Sequence, residues 1–303
     1  MTVTESIHQQ LNQIILGNQD INRLALCCML AGGHLLLEDI PGVGKTTLAH
    51  GIAQTLGLNF NRVQFTSDLL PTDLIGVSIY DQNQQQFKFQ AGPIFTSVLL
   101  ADEINRASPK TQSALLQAME EKRVSIDNET HQLATPFFVI ATQNPLEQSG
   151  TFPLPESQLD RFLMRLSLGY PNAEAELQLL QNQRPYSNGE AQALLSSEQL
   201  LTLLAETNQV HCSEPIAQYV QRLLLATRNH ASYVHGLSPR AGLQWLQAAR
   251  AWARLADRDF IIPEDIQAVA EPVAVHRLQT IGGHSTQTDK QLFSRLLQET
   301  PVT

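Results

Sequence analysis

Residues 35–50 read LLLEDIPGVGKTTLAH, and the fold follows from how that stretch must be built. Leu35-Leu36-Leu37 is a short apolar run without polar alternation, as in a strand covered on both faces. It passes into a turn containing Gly42 and Gly44 and then into an apolar-periodic helix from Lys45 to Leu56. In a strand–loop–helix of this kind, glycines lack the Cβ atoms that would keep backbone N–H groups from curling around an oxyanion at the helix N-terminus. Pro41, Gly42, Val43, Gly44, Lys45, Thr46 and Thr47 form the expected phosphate cradle. Lys45 is placed to reach β- and γ-phosphates, and the Thr46 hydroxyl to ligate Mg²⁺. The strict G-x-x-x-x-G-K-[ST] pattern calls for glycine where this chain has Asp39. Asp tolerates left-handed backbone better than most residues, so the turn is expected to survive.

Working outward, strand-length apolar runs recur at Asn61–Phe65, Val98–Ala101 and Phe137–Ala141, with a helix at Pro109–Glu121 entered through Ser108. Strands alternating with helices imply a mainly parallel α/β sheet. The run Val98–Ala101 ends in Asp102-Glu103. At the edge of a buried sheet the first acid suits a divalent cation and the second suits polarising a water for attack on a γ-phosphate. The third run leads to Gln143-Asn144-Pro145, where Asn144 is a candidate to orient that water. Two stretches, 76–92 and 124–133, read as hairpins, with alternating residues flanking polar turns.

Upstream, residues to about Leu30 form two helical pieces separated at Leu16-Gly17-Asn18. Downstream of Pro171 the strand signal fades. Helices are expected over Ala173–Gln183, Ser197–Thr207, Pro215–Arg228, Pro239–Ala256 and Pro263 to about Ala270, with a loop from Arg184 to Ser197. The boundary near Tyr170 divides an α/β domain, 1–170, from a small all-α domain, 171–303. The stripe Leu243, Trp245, Leu246 and Trp252 reads as core.

Composition narrows the classes. The 303 residues carry 20 basic and 29 acidic side chains, a net charge of −9 that disfavours broad nucleic-acid binding. Three cysteines, Cys27, Cys28 and Cys212, make no disulfide framework and fit reduced thiols in a cytoplasmic setting. The longest apolar stretch, Leu24–Gly33, is far short of the ~20 residues of a membrane span. The opening MTVTESIHQQ lacks the features of a signal peptide. The histidines show no metal-ligand spacing, and His34, His211 and His276 are expected to be structural or solvated.

EDIPGVGKTTLA, LLADEINRASPKTQSALLQAMEE, ATQNPLEQSGTFPLPESQLDRF and GLSPRAGLQWL, in that order, resemble the motifs of the MoxR group of AAA+ ATPases over about Ile14 to His276. The resemblance implies a P-loop NTPase sheet with a helical lid and the cofactors ATP and Mg²⁺, the metal on Thr46 and Asp102. It makes Glu103 the catalytic carboxylate and Asn144 sensor 1. Arg161 would be an arginine finger completing a neighbour's site, with Arg165 as a weaker alternative, and Arg240 would be sensor 2 on a lid helix. Arg106 would serve the contact between subunits, and Ile15, Leu16 and Gly17 would pack on adenine. The implied assembly is a homo-oligomer, a hexamer, with hairpins facing its pore. It would remodel or activate partner proteins, among them one with a von Willebrand factor A domain. A DNA-associated motor, a small-molecule kinase and a nucleotide-dependent scaffold stay as alternatives, separable by salt-dependent DNA binding, by phosphoryl transfer to a compound, and by phosphate release.

Overall fold

The computed structural model describes residues 2–127, 129–145, 150–181, 191–281 and 286–302. Two helices, α1 (Val3–Ile14) and α2 (Gln19–Leu30), open the chain. They are joined through Gly17, whose φ of +95° and close approach to Ala175 both require glycine. Next come β1 (Leu35–Glu38), α3 (Lys45–Thr55), β2 (Phe60–Gln64) and the single turn α4 (Pro71–Ile75). The hairpin β3 (Gly76–Asp81) and β4 (Gln86–Ala91) follows, then β5 (Val98–Asp102) and α5 (Pro109–Glu121). A second hairpin, β6 (Arg123–Ile126) and β7 (Glu129–Gln132), precedes β8 (Phe138–Gln143), α6 (Glu156–Leu159) and β9 (Met164–Leu166).

Five strands pair in the order β2-β5-β8-β1-β9, every pairing parallel. The absence of polar alternation in these strands has a direct cause, because successive side chains enter two different cores. Leu35, Leu37, Val98, Leu100, Phe138 and Ile140 pack with α1, α2, α3 and the lid, while Leu36, Leu99, Ala101, Val139 and Ala141 pack with Leu115, Leu116 and Met119 of α5. Both faces of β1, β5 and β8 are dry, so these central strands stabilise the sheet through both sets of side chains. β9 was not among the expected strands: it is three residues long with Arg165 at its centre, and it is defined by pairing on β1 rather than by its own composition.

Both expected hairpins form, with Tyr80 opposite Phe87 in the first and Val124 opposite His131 in the second. They lean on each other: the Phe89 ring stacks on His131 at 4.0 Å, and Phe95 meets both rings edge-on. The turn residue Asn128 lies outside the described residues.

The region after β9 contains α7 (Ala173–Leu180), α8 (Ser197–Gln209), α9 (Glu214–Asn229), β10 (Tyr233–His235), α10 (Pro239–Leu255), α11 (Pro263–Ala268), α12 (Ala270–Ala274), β11 (Gln279–Thr280) and α13 (Thr286–Glu299). It is helical, with one two-stranded ribbon, β10–β11, that the sequence pattern did not announce. The expected end of the first lid helix at Gln183, and most of the expected loop after it, lie outside the described residues. Caps explain the entries: Ser238 accepts from the Ala241 amide at 3.1 Å, and Ser196 and Gln199 form a reciprocal capping box. The aromatic stripe of α10 divides. Trp245 is wholly buried, with Nε1 donating to the Ile266 carbonyl at 2.8 Å, whereas Leu243 is 69% exposed. Among the described residues no helix is long and apolar enough to cross a membrane.

Candidate nucleotide site and the arginine face

Parallel order puts the C-terminal ends of β1, β5 and β8 side by side, so the segments following them converge. They enclose a cleft of about 380 Å³ lined by Pro41, Gly42, Gly44, Lys45, Thr46, Arg62, Gln64, Asp102, Glu103 and Asn144. Gly42 and Gly44 have φ of +89° and +99°, and a Cβ at either would meet nothing within 4 Å, so the cradle opens onto free space. Lys45 Nζ donates to the loop's own carbonyls, Asp39 at 2.8 Å and Ile40 at 3.4 Å, which anchors the ammonium at the helix N-terminus. A cradle open at its glycines, with a lysine, a hydroxyl and two acids around it, fits a nucleoside triphosphate and its cation.

Asp102 and Glu103 form a fixed corner. The wholly buried Thr142 on β8 donates its hydroxyl to Asp102 Oδ1 at 2.6 Å and accepts from the Glu103 amide at 2.9 Å. Glu103 itself adopts φ +56°, a left-handed conformation uncommon outside glycine and asparagine. Two residues of the neighbouring strand β2 complete the set: Arg62 Nη2 donates to Asp102 Oδ2 at 2.6 Å, and Gln64 Nε2 to Glu103 Oε2 at 2.6 Å. Arg106 also reaches Glu103, at 3.1 Å, within its own protomer. Arg62, Gln64 and Thr142 were not foreseen as site residues. Their signal was positional: 62 and 64 share one face of a strand adjacent to β5.

The Asp39 expectation needs correction. Its backbone is not left-handed, and its buried carboxylate turns away from the cleft. It accepts from Ser167 Oγ at 2.9 Å, from the Gly169 amide at 3.2 Å and from the Leu168 amide. A glycine at this position would lack the carboxylate that ties β1 to the segment after β9. That segment walls a second pocket of about 170 Å³, lined by Ile14, Ile15, Leu16, Gly42, Val43, Thr47, Leu168, Gly169 and Pro171 among others. Ile15, Val43 and Thr47 line this second pocket, and Gly42 and Gly44 border both. Gly17 does not line this pocket; it borders a neighbouring polar cleft with Asn12, Asn18 and Asn172.

Arg161 and Arg240 are absent from both pockets. Arg161 precedes β9, and the Leu163 amide donates to the His34 carbonyl just before β1. Arg161 thus lies at the N-terminal end of a parallel sheet whose C-terminal end carries the cradle. Its Nη2 is 3.1 Å from Glu120 Oε2, and Arg240 Nη1 is 3.3 Å from Glu120 Oε1, so one carboxylate at the end of α5 joins both arginines. Arg240 also lies 3.9 Å from Asp160. Arg165 instead pairs with Glu38 at 3.2 Å on the sheet edge. The histidines beneath this face are structural. His34 accepts from the Val139 amide at 3.0 Å and bonds the Met119 carbonyl at 3.3 Å, and burial holds its pKa down at about 4. His276 bonds the Phe162 carbonyl at 3.0 Å; burial, then the positive Arg277 and Arg165, hold its pKa well below the ordinary value. Burial raises the thiol pKa of both Cys27 and Cys28, which are free and enclosed.

Comparison with known proteins agrees with this geometry. Residues 34–164 match the model for the ATPase family associated with various cellular activities (AAA), and residues 225–296 the AAA lid domain. The chain is 47% identical to YeaC of Bacillus subtilis (strain 168), over 89% of this chain and 85% of that protein. It is 42% identical to the chaperone MoxR1 of Mycobacterium tuberculosis, over 89% of this chain and 74% of that one, and 33% identical to the protein MoxR of Paracoccus denitrificans, over 88% and 86%. A crystal structure from Cytophaga hutchinsonii, of a protein taken to be an ATPase, superposes with a TM-score of 0.90 at 38% identity, covering 99% of this chain and 95% of that one. The chain belongs to the MoxR-type AAA+ ATPases.

Proposed function

We propose that this chain is a Mg²⁺-dependent ATP hydrolase that works as a homo-oligomeric ring, a hexamer, each site being finished by the arginines of an adjoining subunit. One observation carries the reading: the cleft of Lys45, Thr46, Asp102 and Glu103 lies at one end of the sheet, while Arg161 lies at the other, joined through Glu120 to Arg240. In this reading residues 1–170 bind nucleotide and residues 171–303 form the lid.

The backbone amides of Gly42–Thr46 and the Lys45 ammonium receive the β- and γ-phosphates. Ile15, Val43 and Thr47 enclose the base, with Gly17 shaping the turn beside them. Thr46 and Asp102 would hold Mg²⁺, which when bound offsets the charge between β- and γ-phosphates. Glu103, fixed by Thr142, accepts a proton from the lytic water, and Asn144 orients that water. Arg161 and Arg240 of the adjoining subunit approach the γ-phosphate together. A guanidinium presents a planar fork to phosphate oxygens and keeps its charge, so its arrival makes turnover depend on assembly. The exposed Leu243, one turn from Arg240, gives the same face an apolar contact for a neighbour.

The coupled work is remodelling or activation of a partner protein, in line with the relative named a chaperone. A partner bearing a von Willebrand factor A domain is the expected client or co-factor. Val77, Ile79, Tyr80 and Phe87 of the first hairpin are exposed and available to such a protein.

Two variants test the reading. Glu103→Gln should lower phosphate release by about 10³-fold, the usual contribution of a general base. ATP binding should persist, and unchanged turnover removes Glu103 from its role. Arg161→Ala should be inactive alone yet regain turnover when mixed with Glu103→Gln subunits, which donate an intact arginine. No recovery at any ratio argues against donation between subunits.

A further inference from the structure

Beneath the arginine pair lies a third arginine that contacts neither pocket. Arg277 ends the short lid turn Val275–Arg277, and its side chain is 4% exposed. Its guanidinium reaches out of the lid to the segment that carries Arg161. Nε donates to Asp160 Oδ1 at 2.8 Å; Nη1 donates to the Leu163 carbonyl at 3.2 Å and to the Val273 carbonyl. Nη2 donates to the Phe162 carbonyl at 2.6 Å and to Gln244 Oε1 at 2.7 Å, with the Asp160 carbonyl at 3.4 Å. An arginine has five N–H donors, and here every one is engaged, which is what a guanidinium needs to remain charged in so dry a place. Burial lowers its pKa, and the Asp160 carboxylate offsets part of that.

The choice of acceptors is informative. Asp160, Phe162 and Leu163 flank Arg161 on both sides, and Gln244 lies one turn beyond Arg240 on α10. The neighbouring His276 bonds the same Phe162 carbonyl. Asp160 closes the circuit by approaching Arg240 at 3.9 Å. The chain of charges Arg161–Glu120–Arg240–Asp160–Arg277 therefore runs from the rim of the α/β domain into the lid, with only its last member deeply buried.

We infer that Arg277 is a positioning residue for the arginine pair: from the lid it fixes the backbone that aims Arg161 and the helix turn that bears Arg240, so a lid movement carries both arginines together. This rests on the reading that Arg161 is donated to an adjoining subunit. It assigns Arg277 no contact with nucleotide.

The test is complementation. Arg277→Gln is shorter and keeps two of the five N–H donors, losing the fork and the charge. Alone it should lose turnover by about 10²-fold, the scale expected when a catalytic group is displaced by about 1 Å, with fluorescent-ATP affinity unchanged. Mixed with Glu103→Gln subunits, whose arginine face is intact, it should recover turnover as Arg161→Ala does. Mixed with Arg161→Ala it should not recover. A merely structural role would damage the protomer's own cleft, which no neighbour repairs. Asp160→Asn removes one anchor and should give the same donor-side pattern in weaker form, and it decides the matter if Arg277→Gln does not fold. Full turnover in the folded variant, or loss that Glu103→Gln subunits cannot rescue, overturns the inference. Failure of the underlying reading is a separate result: Arg161→Ala itself stays active or resists rescue, whatever Arg277 does.

Discussion

The cleft and the arginine face use the same chemistry, cations and carboxylates at a sheet end, yet they are built in opposite ways. The cradle is contiguous: Gly42–Thr46 present backbone amides and a lysine in one short stretch, and the open space above the glycines awaits a polyanion. The arginine face is assembled from remote segments, with Glu120, Asp160, Arg161, Arg240 and Arg277 drawn from α5, the loop before β9 and two places in the lid. Its charges are already paired within the protomer. A site that must seize a diffusing ligand is left open. On the proposed reading, the arginines that act after assembly are held until then by internal carboxylates that phosphate can displace. Such half-exposed pairs are individually weak, about 0–1 kcal/mol, so exchanging Glu120 for phosphate oxygens costs little.

The largest effect that can break this comparison is Lys45→Ala. It should abolish ATP binding and phosphate release in the variant's own cleft, a loss of about 10³-fold or more, since it removes the positive charge that would neutralise the phosphates. Its arginine face should be untouched. Lys45→Ala subunits should therefore restore turnover to Arg161→Ala subunits, measured as phosphate release across mixing ratios. If they cannot, the two regions are not separable and assembly itself requires nucleotide in every subunit.

The same contrast explains what could be read from the sequence. Phosphate binding by a loop needs adjacent residues, so Gly42, Gly44, Lys45 and Thr46 announce themselves, and Asp102-Glu103 follow because a strand end is also local. Thr142, Arg62 and Gln64 stayed hidden because nothing in their own segments marks them; only the order β2-β5-β8 brings them to the acids. Arg161 and Arg240 were singled out by likeness to family motifs, while Glu120 and Arg277, which bond around them, were not. One is an ordinary acid at a helix end, the other an ordinary arginine in a short turn. Leu243 misled in the other direction: helical spacing put it in a core stripe, but spacing alone does not say which side of α10 a neighbouring helix covers.

A smaller effect should fall on the arginine side first. His34 links Met119, next to Glu120, to β8, and its backbone carbonyl receives the Leu163 amide. Its Nδ1 is an acceptor, so protonation would set a second hydrogen against the Val139 amide. Above pH 6.5 the ring is neutral whether folded or unfolded. As pH falls from 6.5 toward about 4, the unfolded chain takes up a proton that the folded chain refuses, and stability declines. The loss from this one ring is about 3 kcal/mol across the window. Urea unfolding followed against pH should show that slope, and His34→Gln should flatten it while leaving the cleft's ATP affinity at neutral pH intact. An unchanged slope would show that other groups carry the acid response.

The smallest expected effect bears on the one residue that belongs to the cradle by sequence and to the packing by structure. Asp39→Gly restores the strict phosphate-loop pattern, and a reading of the loop alone expects tighter nucleotide binding from it. The structure argues the reverse. The glycine removes acceptors from Ser167 and from the Leu168 and Gly169 amides, and frees backbone that the aspartate had constrained. Leaving a buried amide unpaired costs about 1–3 kcal/mol, so the melting temperature should fall. The wall of the pocket proposed to take the base should loosen with it, because Leu168 and Gly169 form part of that wall. ATP affinity should drop modestly, and more than the affinity for inorganic triphosphate, which has no base to feel the change. Equal losses for both ligands would mean that Asp39 acts on the phosphates after all, and that its carboxylate does not serve the wall it is bonded to.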